Sequence, residues 1–331
     1  MLPPTFLSAL VSQYFSLILA LCLIPALQTP GHATPKPAVV TVGTFVNQIY
    51  GVDLKNNSFN VDFYVWCRWT DDSLHPLDSL QLVNGRINSK SAITVKRVGD
   101  LNVASARIAA TITKFGNMER FPLDKHELTI ELEDGIADSK SLVYQPDSAY
   151  IGAAEDVRVP GWTISRTAPS ITAHRYKVRV QPDTTSPEEQ STQALFSRYV
   201  YSTFIARPGY GRFVKLFLGL FVSVLVAYLA FFVRPRDLSP RVGLGTGAIF
   251  AVAATSFSIN GMLPESASIT MADRLIMGAM TYVATSILGT ICSVQLSYQG
   301  REDASMRFDW LCSRILPAVY VSLLTYCAVA S

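Results

Sequence analysis

The 331-residue sequence predicts an all-β sandwich followed by an all-α bundle of four membrane-spanning helices. Three observations carry this. Short runs of alternating apolar and polar residues fill the stretch from Val39 to about Ala206. Charges are frequent from Lys36 to Lys215 and then almost vanish. Four long apolar blocks occupy what remains, in a chain that is 49% hydrophobic and only 16% charged.

The N-terminus comes first. An apolar stretch from about Phe15 to Leu27 ends near Gly31-His32-Ala33, small residues at the usual cleavage spacing. Residues 1–33 are therefore read as a signal peptide, with a further membrane helix as the alternative. The absence of Lys and Arg before Lys36 counts against a normal signal.

Residues 34–212 are read as the β-sandwich. Phe59, Val61, Phe63 and Val65 alternate with Asn60, Asp62, Tyr64 and Trp66. Leu128, Ile130 and Leu132 alternate with Thr129, Glu131 and Glu133, and Tyr176, Val178 and Val180 with Arg175, Lys177 and Arg179. Such patterns are half-buried antiparallel strands. A short helix is expected near Val42 to Tyr50. Of five cysteines only Cys67 falls in this half, which leaves it no internal disulfide.

Residues 213–331 are read as the membrane domain, with helices at about 213–233, 242–263, 272–296 and 310–330. The apolar blocks Leu216–Val233, Val242–Leu263, Leu275–Leu296 and Ile315–Ser331 hold 18, 22, 22 and 17 residues, each close to one crossing. Arg234, Arg236 and Arg241 flank the first connection, and Arg301, Arg307 and Arg314 lie in or beside the third. That bias puts both connections in the cytoplasm, with the β domain and the C-terminus outside. The second block is unlike the others, being rich in Gly, Ala, Ser and Thr. Gly243, Gly247, Phe250, Ala254, Phe257 and Gly261 form one stripe at helical spacing. The stripe reads either as the wall of a water-filled axis with apolar rings at the phenylalanines, or as close helix packing through the glycines.

Several function classes drop out. The net charge of +3 is small and scattered, which argues against nucleic acid. His75, His126 and His174 have no metal-ligand spacing, and no Gly-x-Ser-x-Gly or His-Glu-x-x-His occurs. No enzyme and no cofactor is expected.

Six local motifs in order resemble the Cys-loop receptor superfamily of pentameric ligand-gated ion channels. They are Trp69-Thr70-Asp71, Phe121-Pro122-Leu123-Asp124, Trp162 in Pro160-Gly161-Trp162, Arg207-Pro208-Gly209-Tyr210, Arg241-Val242-Gly243-Leu244-Gly245, and Pro264. Lys114 and Leu128 stand where the loop cysteines would be, and the last cytoplasmic connection is short, both of which look like the bacterial branch. Gly219 replaces the usual proline of the first span.

The resemblance implies an immunoglobulin-like extracellular sandwich, a homopentamer in the cell membrane, and a pore lined by the second helix. The implied partners are four further copies, membrane lipid, a small extracellular ligand or protons, and permeating small ions. Tyr64, Glu133, Tyr176, Phe196 and Tyr199 become ligand-binding candidates, capped by a loop from about Lys177 to Ser197. Val83 and Gly135 replace common aromatic positions of the ligand cage. Asp53, Asp124, Arg207 and Pro264 become the junction that passes binding to the pore. Arg241 and Glu265 become selectivity candidates at opposite mouths. Arg241 with Ser239-Pro240 resembles the anion-selective branch and sets the lean, while Glu265 favours cations. A membrane-anchored β-sandwich binding protein that conducts nothing is the alternative.

Overall fold

A computed structural model describes residues 36–114, 116–147, 152–154, 157–179, 191–265 and 268–329. The expected signal peptide lies outside the described residues. Ten strands come first: β1 Ala38–Asp53, β2 Ser58–Trp69, β3 Leu80–Leu82, β4 Gly85–Val98, β5 Leu101–Thr113, β6 Lys125–Asp134, β7 Leu142–Pro146, β8 Gly152–Ala153, β9 Thr163–Arg179 and β10 Ser191–Ala206. One sheet runs β4-β5-β2-β1-β7, with β8 also on β1, and the other runs β3-β6-β10-β9.

Strand alternation decides the core. Every second residue of β2 is buried, and Val61, Phe63, Val65 and Cys67 are sealed against Ile108 and Ile112 of β5 and Leu132 of β6. Burial pushes the Cys67 thiol up to about 12. The short helix expected over Val42–Tyr50 is instead part of β1. A register shift between Val46 and Gln48 breaks the two-residue alternation there. Val42, Val46 and Ile49 therefore acquire helix-like spacing while all three stay buried in a strand.

Four helices follow: α1 Gly211–Leu229, α2 Leu238–Asn260, α3 Met271–Tyr298 and α4 Glu302–Val329. A 3-10 turn at Ala230–Phe232 prolongs α1, and Val233 turns extended just before Arg234-Pro235. A capping box starts α3, with Thr270 and Asp273 satisfying each other's exposed backbone groups. The first three helices are long and apolar enough to cross a membrane. α4 differs because its first half carries Glu302, Asp303, Arg307, Asp309 and Arg314, and Pro317 interrupts its ladder.

Glycines let the helices approach, two of them on α1 and α2. A Cβ at Gly245 of α2 would sit 2.5 Å from the Ile287 side chain of α3. One at Gly219 of α1 would sit 3.0 Å from the Thr255 hydroxyl of α2. Gly219, which stands where the resemblance has a proline, is thus a helix-contact residue.

Candidate functional site

The β domain meets the helices through the turn between β5 and β6. Met118 and Phe121 are buried in one cluster with Phe217 of α1, Ile259 of α2 and Met271 and Leu275 of α3. The Met271 amide donates to the Glu119 carbonyl at 2.7 Å. The Phe121–Pro122 bond is cis. Behind this turn Asp124, with a fully buried side chain, accepts from Arg207 Nε at 3.3 Å and pairs with His126 Nε2. The Arg207 guanidinium lies 3.5 Å over the Trp162 ring, whose edge meets His126 at 5.2 Å. Burial alone would raise the Asp124 pKa, but His126 and Arg207 more than offset it and hold the carboxyl below its ordinary range. Asp53 is elsewhere: it is exposed and takes up the Asn56 side chain at 2.7 Å, which lowers its pKa. The structure therefore joins Asp124 to Arg207 and leaves Asp53 out. Pro264, with Glu265, lines a cavity of about 230 Å³ that also touches Met118 and Thr270.

The ligand candidates fall into three places. Glu133 of β6 sits on the outer face of its sheet, 4% exposed, and faces Arg198 of β10 directly across the ladder. Arg198 Nε donates to Glu133 at 2.5 Å and Nη1 to Glu131 at 2.8 Å. The Tyr176 hydroxyl donates to the other Glu133 oxygen at 2.9 Å. Burial and that carboxylate push the Tyr176 phenol above its ordinary value. Tyr176 also meets Phe196 edge-on at 5.5 Å and His174 at 4.5 Å. Glu133, Tyr176 and Phe196 are therefore one site.

Tyr199 is not part of it. β10 alternates, so Tyr199 turns inward, fully buried, and shares a 2.9 Å hydrogen bond with Thr44 of the opposite sheet. Tyr64 lies on the outer face of the other sheet, half-buried, with Arg107 5.9 Å over its ring. The capping loop is shorter than expected, because β9 and β10 pair as far as Arg179 and Ser191. Pro182, Asp183, Pro187, Glu188 and Glu189 lie outside the described residues. At Gly135 a Cβ would meet the Gln81 side chain at 2.3 Å, so that slot is already filled.

On α2 the stripe separates cleanly from the packing face. Gly243, Gly247, Phe250, Ala254, Phe257 and Gly261 are all exposed, Phe250 at 74% and Phe257 at 80%. Arg241, Gly245, Ala248, Val252 and Ile259 are buried. A Cβ at Gly243 or Gly247 would touch nothing, so within the subunit these two are not packing glycines, whereas Gly245 is. Arg241 does not project from the helix end. It is 1% exposed, donates from Nε to the Val233 carbonyl at 3.0 Å, and pairs with Asp309 of α4. Arg241, a selectivity candidate by position, thus has its side chain held inside the subunit. Glu265 is exposed.

No family profile matches the chain. It is 22% identical over 267 residues to a proton-gated ion channel of Gloeobacter violaceus, covering 75% of this chain and 70% of the relative. It is 24% identical over 200 residues to a gamma-aminobutyric acid receptor subunit beta of Caenorhabditis elegans, covering 59% of this chain. A gamma-aminobutyric acid receptor subunit beta of Lymnaea stagnalis is 20% identical over 235 residues, covering 70% of this chain. The chain is a relative of the pentameric ligand-gated ion channels. It spans 33% and 44% of the lengths of the two receptor subunits. These relatives are channels and receptors rather than enzymes.

For a relative of these channels, the informative side chains that sequence reasoning passed over are Arg198, His126 and Asp309. Arg198 shares a strand face with Phe196 by two-residue alternation, but its partners lie on another strand and have no local signal.

Proposed function

We propose that the chain is one subunit of a pentameric ligand-gated ion channel in the cell membrane, with four crossings and both the N-terminal domain and the C-terminus outside. Five copies turn the Gly243–Gly261 stripe of α2 toward a shared water-filled axis. The contrast between open helix faces carries this reading. On α1 the exposed large side chains beyond Lys215 are Leu218, Val222, Leu225 and Leu229, the surface that lipid accepts. On α2 Val242, Ile249 and the two phenylalanines share the open surface with exposed Gly243, Gly247, Ala254, Thr246, Ser258 and Asn260. A small, polar open face is favoured against water and protein rather than acyl chains. The phenylalanines then form apolar rings that close the pore by excluding water.

The ligand site of this reading lies between subunits, with Glu133, Tyr176 and Phe196 of one copy facing Tyr64 of the next. A carboxylate beside aromatic rings suits a small cationic ligand. Protons are the competing agonist. Arg207 and Asp124 pass the change to the Phe121 turn, which bears on the loop containing Pro264. With the Arg241 charge matched inside the subunit, the exposed Glu265 at the outer mouth makes the pore favour cations.

Recording from protein reconstituted in planar bilayers tests this, with current followed from about pH 8 to about pH 4 with and without amines. Current that tracks sodium supports the reading. Silence in every condition, with a purified protein that runs as a monomer, returns the chain to an anchored β-sandwich binding protein. If Glu133→Ala leaves an amine response intact, the ligand assignment falls while the channel stands.

A further inference from the structure

The cluster around Glu133 is already occupied. Arg198 places one guanidinium between two carboxylates, with Nε on Glu133 and Nη1 on Glu131, and its side chain is only 13% exposed. The Tyr176 hydroxyl closes the third side, and Phe196 backs the Tyr176 ring. Arg198 and Glu133 are direct cross-strand partners, so the pair is held by the sheet register and not by a chance rotamer. Two carboxylates and one guanidinium leave the cluster one negative charge in excess.

We propose that Arg198 is a resident cation that stands in the ligand's place, and that a ligand enters this site by exchanging with it. The inference rests on the ligand reading above and names its chemical class. Exchange of one cation for another keeps both carboxylates compensated throughout. An anionic ligand drawn to Arg198 would instead strip that compensation from half-buried Glu131 and buried Glu133, leaving both carboxylates unpaired. The site therefore selects organic cations with planar or multiple N–H donors, guanidinium and primary ammonium groups, which can reproduce the two-carboxylate contact. It rejects carboxylates and phosphates. The released Arg198 leaves a free charge in the middle of the β9–β10 ladder, opposite Thr172.

Calorimetric titration of the full-length protein in detergent with methylguanidinium chloride is the test, and it needs no current. Wild type is expected to bind weakly, because the probe competes with Arg198. Arg198→Ala is expected to bind at least about tenfold more tightly, the equivalent of about 1.4 kcal/mol. Arg198→Lys, whose single ammonium cannot span both carboxylates, should fall between and covers the case in which the alanine variant does not fold. Adding Glu133→Gln to either should abolish the gain. Equal affinities in wild type and both Arg198 variants overturn the proposal, as does a gain that survives Glu133→Gln. Acetate binding to wild type that is lost in Arg198→Ala or Arg198→Lys also overturns it, since the site would then be an anion site. None of these outcomes bears on whether α2 lines a pore.

Discussion

Arg241 and Asp309 form a two-pronged ion pair inside the subunit, with Nη1 on Oδ1 at 3.2 Å and Nη2 on Oδ2 at 2.5 Å. The pair ties the first turns of α2 to α4, and the Val233 carbonyl takes the remaining guanidinium edge. A residue that by position alone looked like a charged mouth is a strut between helices.

Breaking the strut on one side leaves a buried charge uncompensated. Asp309→Ala is expected to cost about 3–5 kcal/mol, read as a lower unfolding midpoint in detergent. Replacing both partners, Arg241→Met with Asp309→Leu, should recover most of that loss. The reversal potential of the double variant should match wild type, because both charges are buried inside the subunit and off the exposed stripe of α2.

The Phe121 turn should behave as core of the membrane domain although it belongs to the β domain. Phe121 is fully buried among α1, α2 and α3 residues. Phe121→Ala is expected to cost about 3–5 kcal/mol, and to right-shift ligand responses more than a β-core truncation of equal stability cost. Dose–response curves of stability-matched variants check this.

Asp124 gives an acid dependence with a definite sign. Its folded pKa lies below the ordinary value of about 3.9. Its stabilisation is therefore present above the unfolded value and is lost as pH falls through the lowered folded one. Asp124→Asn should be less stable near neutrality by about 2 kcal/mol. It should lose less on acidification below about pH 4, which chemical denaturation across that range would reveal.

The alternation that hides Tyr199 in the core separates it from its neighbours. Tyr199→Phe should cost about 1 kcal/mol for the Thr44 bond and leave ligand responses unchanged. Tyr176→Phe, which removes a donor to Glu133, should shift them.

Helix-packing glycines should differ from open ones. Gly245→Val forces a side chain against Ile287 and should destabilise by about 1–3 kcal/mol. Gly247→Ala meets nothing and should leave the unfolding midpoint in place.

What was legible in the sequence was whatever repeats along it. Two-residue alternation marked β2, β6 and β9, and helical spacing marked the α2 stripe, since each rests on local geometry. β1 failed for a local reason too, its register shift turning strand burial into helix-like spacing. Partners distant along the chain were not legible. Arg198 meets Glu133 and Arg241 meets Asp309 only once strands and helices are laid side by side, and a charge in a sequence does not announce its partner. Position relative to known motifs puts Arg241 in the first turn of α2 but carries no information on where its side chain points.

The central claim is that the α2 stripe faces water in the assembled protein. Single cysteines placed along α2, with Cys292, Cys312 and Cys327 replaced by serine, can be exposed to a charged thiol reagent in reconstituted membranes. Reaction at Gly247, Phe250 and Phe257, with protection at Ala248, Val252 and Ile259, is the predicted pattern. Inertness of Phe250 and Phe257 positions in every ligand and pH condition would contradict it.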